Sequence, residues 1–115
     1  MNNVILEKSF QFSLSSINYY RKSIKYNEYI LLNQFLRSAT SIGANVREAQ
    51  HAQSKRDFIN KMYIALKEAN ETEYWLELLR KSNSYNTTDI ENLINQCIEI
   101  NKILFSLIKT SKKSL

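Results

Sequence analysis

Apolar residues recur along this chain at steps of three and four, the period of one face of an α-helix. They do so in four successive blocks separated by short polar breaks. The first covers about residues 3–25, with Leu6, Phe10, Leu14, Ile17 and Ile24 as its stripe and Asn3 as a candidate N-cap. Tyr26-Asn27-Glu28 interrupts it. The second, about 28–52, places Leu32, Phe35, Leu36, Ala39, Ile42 and Val46 on one arc. Ser54-x-x-Asp57 has the spacing of a capping box and starts the third. That block runs to about 81, with Phe58, Met62, Ala65, Leu66, Ala69 and Leu76 on its core side. After a polar loop at 82–87, Thr88-x-x-Glu91 opens the fourth, where Ile90, Leu93, Ile94, Cys97, Ile100, Leu104, Leu107 and Ile108 fall in line. The tail from 109 to 115 is expected to fray. Short connections make sequential helices antiparallel neighbours. The fold class that follows is all-α, an antiparallel up-down-up-down four-helix bundle occupying residues 1–115 as one domain.

The second block is unusual on the side away from its core arc. Gln34, Ser38, Ser41, Asn45, Glu48 and Ala52 step by four and three, with Arg37 beside them. That is the spacing of a seam that follows a partner helix. Short side chains let another backbone approach, whereas a lone surface helix would carry Lys and Glu; a solvated, short-chained face gives the same pattern. Gly43 is the only glycine and sits mid-helix, at a cost of about 1 kcal/mol against alanine, so a kink or a close contact is expected there. The third block is apolar on a second side too, because Ile64, Trp75 and Leu78 share an edge. Such a helix belongs inside a larger assembly, unless the Trp75 ring simply lies flat on the bundle. Two separate surfaces predict a head-to-tail contact between copies. Its expected residues are Arg37, Ser38, Ser41, Asn45 and Glu48 on one helix, and Ile64, Trp75 and Leu78 on the next. Asn45 and Glu48 would set register there through hydrogen bonds and ion pairs; contact with a ligand is their competing role.

Ser41-Ile42-Gly43-Ala44-Asn45-Val46-Arg47-Glu48 resembles a known signature, Ser-Ile-x-x-Asn-Ile-x-Glu. It marks the small four-helix-bundle proteins encoded by intervening sequences in 23S rRNA genes, the S23 family. Asp57-Phe58-Ile59, Tyr63-Ile64-Ala65 and the Glu-rich segment after them fit the same pattern. The resemblance extends over roughly residues 5–108. This chain has Gly43 where many relatives carry Pro, and Ala49 where they carry Gly. The family is similar in build to the accessory variability determinant of diversity-generating retroelements. What the resemblance implies is a homo-oligomer without catalysis, and specifically a homopentameric ring.

Composition supports a helical reading, since Pro is absent and Gly occurs once, leaving little turn chemistry for a β-protein. The single cysteine, Cys97, excludes an intrachain disulfide and agrees with a reducing, cytoplasmic setting. The first residues lack the pattern of a signal peptide. No apolar run approaches the roughly 20 residues that span a bilayer, so a membrane is not an expected partner. A formal charge of +5 makes acidic partners plausible, RNA or DNA first among them. In the predicted topology one end gathers Lys8, Arg47, Lys55, Arg56, Lys109, Lys112 and Lys113 against Glu7, Glu48 and Asp57. The other end is nearly balanced. Arg47, Lys55, Arg56, Lys109, Lys112 and Lys113 are therefore the candidate nucleic-acid contacts, repeated around one rim of a ring and gripping backbone without reading bases. A merely solvated basic end is the alternative.

Catalytic chemistry finds little support. Glu48-x-x-His51 supplies one Glu-x-x-His on a helix, while a di-metal bundle needs two such pairs and two further carboxylates. Cys97 lies on an apolar stripe, the position of an inert thiol. Nucleophile triads, glycine-rich phosphate loops and zinc spacings are missing from the sequence. The expectation is no enzyme, no cofactor and no metal. The competing function is a protein–protein adaptor or scaffold whose groove takes a helix of an unidentified partner.

Overall fold

A computed structural model describes residues 3–26, 29–82 and 87–115; the breaks expected at 27–28 and within 83–86 lie outside them. Each hydrophobic block is a helix: α1 Asn3–Ser23, α2 Tyr29–Ala49, α3 Lys55–Ser82 and α4 Thr87–Lys113, with one 3₁₀ turn at Ile24–Tyr26. No strand occurs among the described residues. Pairings between neighbours show that every adjacent pair is antiparallel. Tyr20 meets Asn33, Arg37 meets Glu68, and Glu48 meets Lys61. Arg80 meets Glu91, while Lys8 and Lys22 reach Glu99 and Asp89. The result is a four-helix bundle measuring 47 × 20 × 19 Å.

Local chemistry sets the helix ends. The Ser54 hydroxyl accepts the Asp57 N–H at 3.0 Å, the N-cap half of a capping box, while the Asp57 carboxylate reaches one residue further back and accepts the Gln53 N–H at 3.2 Å. Helix α2 stops at Ala49 rather than near 52. Gln50, His51 and Ala52 donate to carbonyls three residues back, at 3.0–3.1 Å, which tightens the chain out of the α-helix. At the other extreme α4 continues to Lys113 instead of fraying from 109. Ile108 stays buried against the core, and the Lys55 ammonium donates to the Ser114 hydroxyl at 2.7 Å.

The core stripes of α2 and α4 are close to those expected, with only Leu36 and Leu107 half-buried. Helix α3 is rotated slightly, so that Ile59, Thr72 and Leu79 are buried while Phe58 and Leu66 are half-buried. Helix α1 needs a larger correction. Its buried seam is Ile5, Ser9, Phe12, Ser16, Tyr19 and Ser23, and the expected stripe instead leaves Phe10 and Leu14 about half exposed. Close packing on α2 is the reason. A Cβ at Gly43 would lie 3.3 Å from both the Ser9 carbonyl oxygen and the Ser13 hydroxyl, which identifies Gly43 as the site of a close contact. Only small side chains fit alternate positions of such a seam. The Ser9 and Ser13 hydroxyls are donated to the Leu6 and Ser9 carbonyls of their own helix, whereas the Ser16 hydroxyl, buried on the same seam, meets no hydrogen-bond partner among the described residues.

Candidate functional site

The sequence-predicted interface residues divide when placed in space. Ser38 is fully buried inside the chain's own α2–α3 contact, which corrects its assignment to a surface seam. Its hydroxyl and that of Thr72 meet at 2.8 Å, Ser38 also reaching the Phe35 carbonyl (3.1 Å) and Thr72 the Glu68 carbonyl (2.7 Å). Ala39, Ala65 and Ala69 are buried in the same core. The short side chains thus serve, in part, the α2–α3 packing within one chain. A double-mutant cycle checks this. Thr72→Val should cost about 1 kcal/mol, and the double variant with Ser38→Ala should cost less than the sum of the two single changes, because both remove the same shared hydrogen bond.

The remaining predicted residues stay at the surface. Ser41 donates to the Arg37 carbonyl and Asn45 to the Ser41 carbonyl, both at 2.8 Å along their own helix. Glu48 pairs with Lys61 at 3.3 Å. Ile64 is exposed, and Trp75 and Leu78 are half-buried. Arg37 contacts Glu71 and Glu68, and the Trp75 indole N–H donates to the same Glu71 oxygen at 3.0 Å. Glu71 therefore ties the α2 seam to the α3 edge. The expectation of two separate surfaces is corrected: they border one α2–α3 face, because antiparallel packing sets Arg37 opposite Glu71.

The basic end comes together as its topology requires. Lys55 starts α3 and reaches Ser114 just past α4. Lys112 lies 5.3 Å over the Tyr63 ring and Arg47 lies 5.8 Å over Phe10, geometries that hold a cation while leaving it accessible. Arg56, Lys109 and Lys113 are exposed. Of the carboxylates expected near them, Asp57 sits in the helix cap and Glu48 pairs with Lys61, while Glu7 is exposed. Lys8 departs from the group by pairing with Glu99 at 3.2 Å. A cavity of about 400 Å³ opens at this end, walled by Ala49, Phe58, Met62 and Leu107 with Lys55 at its edge.

Cys97 is buried and donates to the Ala69 carbonyl at 3.3 Å. Burial, and secondarily the Glu73 carboxylate, pushes its thiol up to about 12, so it stays protonated at neutral pH and is a poor nucleophile. Among the described residues no group of three His, Cys, Asp or Glu side chains is placed to hold a metal ion. Of the described helices, none is long and apolar enough to cross a membrane.

Sequence reasoning missed one class of surface residue. Phe10, Leu14, Tyr63, Tyr74 and Phe105 are large and exposed. The available signal was the second 4/3-spaced stripe of α1, with serine at every other position, which competes with the more apolar one.

Compared with known proteins, residues 1–106 match the family of 23S rRNA-intervening sequence proteins. No curated protein matches. Among solved structures, a crystal structure of a protein of unknown function from the S23 ribosomal protein family of Bacteroides thetaiotaomicron is similar. It is 50% identical, with a TM-score of 0.88, over 92% of this chain and 99% of that one.

Proposed function

The chain belongs to the family of 23S rRNA-intervening sequence proteins, and from that premise we propose a non-enzymatic, homo-oligomeric bundle that holds RNA or DNA backbone at its lysine-rich end. The observation that carries the reading is the meeting of the first turn of α3 with the last turns of α4. Lys55, Arg56, Lys109, Lys112 and Lys113 are all exposed there, while Asp57 of the same α3 turn is committed to its cap. Several accessible cations in excess of the local carboxylates release counterions when they meet phosphates, and this favours backbone binding in a salt-dependent way. The test is a salt titration of RNA and duplex DNA binding. Lys55→Glu/Arg56→Glu should flatten the log–log slope by about two and weaken binding across sequences. Absence of binding at ~50 mM salt, or a slope that the double variant leaves alone, removes the proposal.

The assembly we infer is a homopentamer. Two different surfaces on each copy support a ring: the α2–α3 face around Arg37, Ser41, Asn45, Ile64 and Trp75, and the exposed apolar residues Phe10 and Leu14 of α1. Head-to-tail use of unlike surfaces closes into a ring when the rotation permits. Light scattering should give about five times the 13.6 kDa chain mass; a monomer at micromolar concentration would refute it. An adaptor role rests on the α1–α2 groove lined by Leu6, Phe10, Thr40, Ala44 and Arg47. A monomer that retains a stoichiometric protein partner would favour that role instead.

A further inference from the structure

Cations meet uncovered aromatic rings in the groove between α3 and α4. Tyr63 and Phe105 are 45% and 61% exposed. With Leu66, Ile108, Lys109 and Lys112 they line a cavity of about 250 Å³. The Lys112 ammonium sits 5.3 Å from the Tyr63 ring centroid, and no carboxylate lines the groove. Lys67 and Lys102, both exposed, extend the positive charge along the same two helices.

Resting on the nucleic-acid reading above, we propose that this groove binds an unpaired stretch of RNA or DNA. Bases stack on Phe105 and, as Lys112 swings from the ring face to a phosphate, on Tyr63, while Lys109 and Lys112 meet the phosphates between them. Every base has a π-face, so stacking of this kind is tolerant of sequence, and alternating rings and cations are what single-strand binding requires. A duplex keeps its bases stacked internally and offers only its backbone to the lysines. An uncharged apolar occupant would cover the two ammonium groups without neutralising them. Charge complementarity thus favours an anionic strand.

The experiment compares labelled oligo(U) and oligo(dT) of about 15 nucleotides with a duplex of equal length, by fluorescence anisotropy at ~50 mM salt. Both single strands should bind at least about tenfold more tightly than the duplex. Phe105→Ser and Tyr63→Ser should each lose about tenfold for single strands with helical circular dichroism unchanged, and Phe105→Ser, whose ring holds none of the backbone-binding cations, should leave duplex affinity unchanged. Tyr63→Phe should retain the wild-type affinity. Equal affinity for single strands and duplex, or single-strand binding unmoved by the serine variants, overturns the stacking groove and leaves the backbone reading standing. No binding of either form overturns both. A change of oligomeric mass in Phe105→Ser with no change in strand affinity assigns the groove to contact between copies and overturns the proposal.

Discussion

Phe35→Ala should lower the unfolding free energy by about 4 kcal/mol, a large fraction of what a domain of this size has. Phe35 is fully buried on α2, and its ring meets that of Tyr19 edge-on, with centroids 5.8 Å apart and planes at 88°. Truncation removes the transfer free energy of the ring, opens a cavity, and deletes an aromatic pair worth a further fraction to about 1 kcal/mol. It also strikes the junction of α1 with α2, where small side chains offer little volume to collapse inward. Urea unfolding followed by helical circular dichroism measures the effect, with protein concentration fixed because an oligomer's apparent stability depends on it. A loss under ~1 kcal/mol would mean that the α1–α2 core is looser than its geometry indicates.

Gly43→Leu should cost about 3 kcal/mol, at the upper end for overpacking, while Gly43→Ala should lie within about 1 kcal/mol of the parent. The alanine gains helix propensity, but its Cβ meets the Ser9 carbonyl oxygen and the Ser13 hydroxyl at 3.3 Å. The hydroxyl can rotate away; the carbonyl belongs to the backbone of α1 and moves only if the helix moves. These opposing terms nearly cancel for one methyl group. Three further carbons meet the α1 backbone unless they turn out into the groove that Gly43 lines with Leu6, Phe10, Thr40 and Ala44, so leucine either displaces α1 or fills that groove. The same urea series tests both variants. A loss under ~1 kcal/mol for leucine would show that its side chain turns into the α1–α2 groove rather than against the Ser9 carbonyl.

These two sites show how the fold was legible and where legibility stopped. Periodicity located all four helices because burying an apolar arc is a local rule, satisfied in α2 and α4 by residues whose hydrophobicity has no rival on the same helix. The helix cap at Ser54 and Asp57 was readable for a similar reason: its hydrogen bonds join residues only a few positions apart. In α1 two stripes competed, and hydrophobicity chose the wrong one. Which stripe faces inward depends on how closely another helix approaches, and this is decided by Gly43, some 30 positions away in the chain.

The candidate site follows the same division. Its cations are countable in the sequence, and the topology of a four-helix bundle suffices to send Lys55 and Lys112 to one end. Whether each stays available is a tertiary matter. Lys8 is drawn into a pair with Glu99, and Lys112 is set over Tyr63. Ser38 reads as surface by angle alone, yet it is buried because Thr72 of the adjacent helix satisfies its hydroxyl. Arg37 and Trp75 read as separate surfaces until Glu71 joins them. The sequence by itself determined the elements, their order and the surplus of charge, since each depends on local spacing and composition. Only the tertiary structure decided which faces meet, because the distance between helices, and with it the burial of a polar side chain, is a property of pairs.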